Sequence, residues 1–107
     1  MRKDAKYRRS VVRAPLLVRL VIEQLPAATL SGCSHGTWGW GATVTFRGVS
    51  VEITYDRGYV DVSELLDDGE ARQLCPAWYL DAEDSVTGPL VAAIRRAAEV
   101  RRGPTHP

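Results

Sequence analysis

Chemistry in this chain would have to come from two cysteines, two histidines and an unusual density of carboxylates. Cys33 and His35 are separated by one residue, while Cys75 and His106 lie far from them. The four side chains match no common zinc spacing, and His106 sits next to the terminal Pro107, so no metal or other cofactor is expected. As a nucleophile and base, Cys33 and His35 are expected to point away from each other on a strand, with no acid nearby to orient the imidazole. A buried thiol and a surface imidazole are the simpler reading, and no catalytic residue is assigned. Both cysteines are expected as free thiols, since nothing in the sequence points to an oxidising compartment.

The carboxylates Asp61, Glu64, Asp67, Asp68, Glu70, Asp81, Glu83 and Asp84 crowd into one stretch against the single Arg72. They lack the polar surroundings of an acid–base pair and the loop pattern of a calcium site. A solvated face needs nothing further. A docking surface for a basic protein is the alternative, with Trp78 and Tyr79 as aromatic anchors among the charges. Together with those eight carboxylates, Trp78 and Tyr79 make up the predicted partner-binding set.

Gly36-Thr37-Trp38-Gly39-Trp40-Gly41 carries closely spaced glycines, but it precedes a strand and not a helix, so it lacks the helix-terminal N–H groups that cradle phosphate. Gly39 and Gly41 instead strip one sheet face of side chains. A helix of the same chain, a partner, or a bulge at the strand itself is expected there. Trp38, Trp40, Trp78 and Tyr79 also suggest a stacking platform for bases, but Trp38 and Trp40 alternate in phase with Val44 and Phe46 and read as core. Nucleic-acid binding is therefore assigned, as the second reading, to the basic segment Arg2, Lys3, Lys6, Arg8, Arg9 and Arg13.

The charge distribution frames these candidates. The 107 residues carry a net charge of +1, of which residues 1–13 hold +5, residues 14–94 hold −7 and residues 95–102 hold +3. Both ends are basic and the middle is acidic, which favours charge-steered association with a macromolecule. At 45% apolar residues the chain can bury one modest core. Arg19, Glu23 and Gln24 interrupt the apolar stretch after the basic start, which argues against an export signal, and no run reaches the ~18 apolar residues of a membrane span. A cytoplasmic protein is expected.

The positioning elements follow from periodicity. Residues 1–13 read as a flexible arm, 14–102 as one α+β domain and 103–107 as a tail. Leu16 to Leu25 is apolar over a broad helical arc between Pro15 and Pro26, and helix is preferred there to a competing strand pattern. Ala27 to Gly36 reads as a connection. Trp38, Trp40, Ala42, Val44 and Phe46 then alternate with polar residues. Two further alternating runs follow, separated by Arg47-Gly48 and Asp56-Arg57-Gly58, and the three together form an antiparallel meander. Asp67-Asp68-Gly69 is a turn. Leu74 to Leu80 is either a fourth, edge strand or an aromatic-anchored loop, because Pro76 argues against a central strand. Thr87-Gly88-Pro89 opens a last helix with Leu90, Ile94 and Ala97 on one face. The predicted fold is a three- to four-stranded antiparallel meander sheet against an N-terminal and a C-terminal helix, covering Trp38, Trp40, Val44, Phe46, Val51 and Ile53.

The run from Val44 through Gly58 into Val60-Asp61-Val62, with the order helix, meander, acidic loop, helix, resembles the small immunity proteins encoded beside bacterial polymorphic toxins. The resemblance covers about half the chain. It implies a non-enzymatic protein that blocks a toxin by binding it, and the acidic middle fits a basic nuclease as that target.

Overall fold

The computed structural model describes residues 14–80 and 83–102, the side chains at 83, 84, 101 and 102 excepted. Helix α1 (Leu16–Gln24) is followed by strands β1 (Thr29–His35), β2 (Gly39–Phe46), β3 (Val49–Asp56), β4 (Tyr59–Leu65), β5 (Ala71–Gln73) and β6 (Trp78–Tyr79), and by helix α2 (Glu83–Arg102). The strands form one antiparallel sheet in the order β1-β2-β3-β4-β5. β6 pairs with the other end of β4.

The α+β class and the meander agree with the sequence reading, but the sheet is larger than expected. Thr29–His35, read as a connection, is a seven-residue edge strand. Only Leu30 of it is buried, so it is held by backbone pairing with β2 and shows no hydrophobic alternation. β5 is missed for the same reason, since all three of its residues are exposed. Trp78–Tyr79 resolves the ambiguity around Pro76 as a two-residue strand.

Hairpin chemistry sets the register of the central strands. Arg47 and Gly48, and likewise Arg57 and Gly58, have positive φ at both turn positions, the backbone that two-residue loops need to match the strand twist. Alternation then sends Ala42, Val44, Phe46, Val49, Val51, Ile53, Val60 and Val62 to one face, where they are buried. They pack with Leu17, Val18, Val21 and Leu25 of the α1 region and with Val86, Leu90, Ile94 and Ala97 of α2 in one core. The Arg95 guanidinium ties the helices together by donating to the Gln24 carbonyl at 2.8 Å.

α1 confirms helix over strand, with Pro15 at its N-terminal boundary. α2 begins earlier than expected, leaving Pro89 inside it. A proline interrupts only the bond to the carbonyl four residues back, here near the start, and Gly88 and Pro89 stand on the exposed side. Among the described residues, no helix is long and apolar enough to cross a membrane.

The second sheet face is not covered by either helix. It carries Thr43, Thr45, Ser50, Glu52, Thr54, Asp61 and Ser63, all exposed or half-buried. The helices thus pack on the face opposite Gly41, correcting the expectation of a helix over the glycine face.

Candidate functional site

Aromatic side chains gather at one end of this sheet. In the last but one rung, His35 lies opposite Trp40, Trp40 opposite Tyr55, Tyr55 opposite Val60 and Val60 opposite Trp78, all on the helix-side face. In the terminal rung Gly39, Asp56, Tyr59 and Tyr79 follow in order on the uncovered face. All three tryptophans and three of the four tyrosines therefore lie in these rungs or beside them, Trp38 occupying the β1–β2 loop.

The two faces use their aromatics differently. Trp40 and Tyr55 stack at 5.9 Å, half-buried at the rim of the core. On the open face Tyr59 and Tyr79 meet edge to face at 5.5 Å, yet they remain 55% and 60% exposed. Exposed tyrosines in mutual contact are held in place before anything binds them, which lowers the ordering cost of an interface. The Leu80 N–H donates to the Gly58 carbonyl at 2.7 Å and pins β6 against the β3–β4 turn.

Trp38 departs from the predicted core stripe. It precedes β2 and is 64% exposed, with the Arg57 guanidinium 5.4 Å from its ring centre. A shallow cleft of about 330 Å³ lies between Trp38, Trp40, Tyr55, His35, Ser34 and Asp56.

The predicted acidic surface is not one patch. Asp61 and Glu64 are three residues apart on β4 and so face opposite ways. Asp61 lies on the open face and accepts a hydrogen bond from Gln73 Nε2 at 2.8 Å. Glu64 points to the helix side, is 2% exposed and pairs with Arg72, which corrects its assignment as a contact residue. Asp67, Asp68 and Glu70 are exposed around the β4–β5 turn, where Asp68 Oδ1 accepts the Glu70 N–H at 3.0 Å. That turn is at the far end of β4 from Tyr59, roughly 20 Å away for a strand of this length. Asp81, the side chains of Glu83 and Asp84, and the basic set Arg2, Lys3, Lys6, Arg8, Arg9 and Arg13 lie outside the described residues. Two acidic residues not singled out from sequence, Glu52 and Asp56, share the open face with Asp61, Tyr59 and Tyr79. The period-two pattern already placed Glu52 on this face, but only register shows that Asp56, read from sequence as part of a turn, lies directly opposite Tyr59, while Glu52 lies further along, opposite Ser63.

No family model, curated protein or solved structure matches this chain. Cys33 and His35 do not diverge as expected, because residues two apart on a strand share a face, and Cys33 Sγ lies 3.9 Å from His35 Nε2. Cys33 is exposed and not buried as expected, yet partial desolvation of its sulfur by the surrounding chain raises the thiol pKa, the reverse of what activates a nucleophile. Among the described residues, no three His, Cys, Asp or Glu side chains converge on a metal position.

Cys75 is also a free thiol, on the opposite side of the sheet from β1. Burial raises its pKa first, the Asp61 charge raises it further, and Arg96 opposes both. Asp61→Asn is expected to lower that pKa and to speed Cys75 alkylation at pH 8, by less than the tenfold that one full pKa unit produces. The rate is read with iodoacetamide in a Cys33→Ser background, where an unchanged rate would remove Asp61 as a cause.

Proposed function

We propose that this chain is a non-enzymatic protein-binding module that captures a basic partner on the uncovered face of its sheet. The observation that carries this reading is the exposed, edge-to-face Tyr59–Tyr79 pair, with Asp56, Asp61 and Glu52 on the same face. Pre-positioned aromatic anchors ringed by charge are the usual centre of a protein interface, and a surrounding of carboxylates selects a positively charged partner. Together with the resemblance to immunity proteins, this supports an inhibitor of a toxin nuclease. Trp38, at the same end of the sheet, extends the contact area, while Asp67, Asp68 and Glu70 act at most from a distance.

The test is affinity capture of the partner followed by titration calorimetry. Tyr59→Ala with Tyr79→Ala is expected to weaken the complex at least ~30-fold, the effect of losing about 2 kcal/mol at a central anchor. Asp56→Asn with Asp61→Asn should mainly slow association and flatten its salt dependence. Asp67→Asn with Asp68→Asn should leave affinity within about twofold. Undiminished binding by the double tyrosine variant refutes the site. Binding that instead disappears with residues 1–13 assigns the contact to the basic segment and to nucleic acid.

A further inference from the structure

Trp38 and Asp56 already hold a cation supplied by the chain itself. The Arg57 guanidinium lies 5.4 Å from the Trp38 ring centre, and its Nε is 3.7 Å from the Asp56 carboxylate. Arg57 and Asp56 are both largely exposed, so this internal pair is weak and open to exchange. Beside it is the cleft of about 330 Å³, whose walls include Trp38, Trp40, Tyr55 and Asp56 but not Arg57. Among its described lining residues Asp56 is the one Asp, Glu, Lys or Arg, and no such residue occurs from Gln24 to Phe46 to oppose it along the β1 side. Aromatic faces are negative, so three aromatic side chains and one carboxylate favour a cation and disfavour an anion.

From these features we propose that the cleft takes an arginine side chain of the basic partner, which competes with Arg57 for Trp38 and Asp56. The inference rests on the reading of the chain as a module for a basic partner, and it names the side chain that the partner presents. A guanidinium is favoured over an ammonium because it lies flat on an aromatic ring while its N–H groups stay free to donate to a carboxylate. Trp38 is braced to receive it. Its carbonyl accepts the Arg57 N–H at 3.1 Å, and the Gly36 N–H closes the β1–β2 loop on the Gly39 carbonyl at 2.8 Å, so little ordering remains to be done on binding. Arg57 is then a placeholder. It neutralises Asp56 and covers Trp38 in the free chain, and its removal strengthens the attraction for an incoming cation, the reverse of what the loss of a contact residue does.

The probe is N-acetyl-arginine methylamide, titrated into the full isotope-labelled chain and followed by NMR. The three tryptophans give three indole N–H signals, of which those of Trp38 and Trp40 should shift saturably while that of Trp78, outside the cleft, stays in place. The dissociation constant should be on the order of 10 mM, the strength of one cation–π contact with one exposed ion pair. The citrulline analogue, which keeps the shape and loses the charge, should bind roughly fivefold more weakly or worse, and Trp38→Ala and Asp56→Asn should each weaken the arginine probe about threefold. Arg57→Ala should tighten it about threefold. Arg47→Ala is the matched control, since Arg47 has the same turn position and φ and lies 4.8 Å from the Phe46 ring centre, at the far end of β2 from the cleft. It removes the same charge and should leave affinity within about twofold. Absence of a saturable shift, equal binding of the citrulline analogue, or an Arg57→Ala chain that binds no better than the parent overturns the proposal. So does a chain with glutamine at Arg2, Lys3, Lys6, Arg8, Arg9 and Arg13 that binds the probe about tenfold more tightly, which assigns the cleft to the chain's own basic segment. Neither Tyr59 nor Tyr79 lines the cleft, so the double tyrosine variant tests the docking face separately from these outcomes.

Discussion

Gly39→Ala is expected to destabilise the domain by about 3 kcal/mol, because the new methyl group has no place to go. Its carbon would fall 1.7 Å from the Tyr55 carbonyl oxygen, 2.7 Å from the carbonyl carbon and 3.1 Å from Asp56 Cα. All three are backbone atoms of the neighbouring strand, so no side-chain rotation relieves the clash, and β2 must part from β3 at this end. Two hydrogen bonds are exposed to that movement: the Arg57 N–H to the Trp38 carbonyl at 3.1 Å, and the Gly36 N–H to the Gly39 carbonyl at 2.8 Å. The Trp40–Tyr55 stack lies one residue away. For a domain of this size the loss corresponds to a fall in Tm of roughly 12–24 °C. Gly41→Ala is the internal control. Its added carbon would meet Ser34 Oγ at 3.6 Å and Thr54 Cγ2 at 3.7 Å, which is ordinary contact, and a strand glycine replaced by alanine is neutral or slightly stabilising. Equal urea midpoints for the two variants would contradict this account.

The second large effect is expected at the Glu64–Arg72 pair. Arg72→Ala leaves the Glu64 carboxylate at 2% exposure without its guanidinium and should cost about 2 kcal/mol. This figure sits below the usual range for breaking a buried pair because the Arg72 side chain is 55% exposed and its charge is partly screened. Replacing both residues by leucine should recover most of the loss, since the cost lies in a buried carboxylate that has lost its guanidinium and not in the absence of an ion pair. Urea unfolding at constant m-value separates the cases. If Arg72→Ala is as stable as the parent, the remaining contacts of Glu64 are enough to hold its charge. Because β5 joins the sheet through only three residues, the same variant should also loosen that edge.

Both effects arise at positions that a reader of the sequence would rank low. Gly39 is one of several glycines in a glycine-rich stretch, and only the register opposite Asp56 brings it against the Tyr55 backbone. Glu64 is one of eight crowded carboxylates, and only the β4 register turns it inward, opposite Val51. The same register separates Asp61 from Asp67 and Asp68 and joins it to Glu52 and Asp56 instead. Linear proximity of charges therefore misjudges a surface whenever the charges span a strand and a turn, because a strand alternates faces and carries its ends some 20 Å apart.

Local pattern by itself determined the helix over Leu16–Gln24, the meander through Leu65, the turn at Asp67–Gly69 and the apolar face of the last helix. Those features depend on periodic burial and on turn residues, which neighbouring positions encode directly. Tertiary structure decided the rest: the edge strand at Thr29–His35, the exposure of Trp38, the inward Glu64 and the meeting of Tyr59 with Tyr79. Each of these depends on which backbone lies alongside, and edge strands and cross-strand neighbours are held by pairing with distant residues, a relation that leaves no period in the sequence.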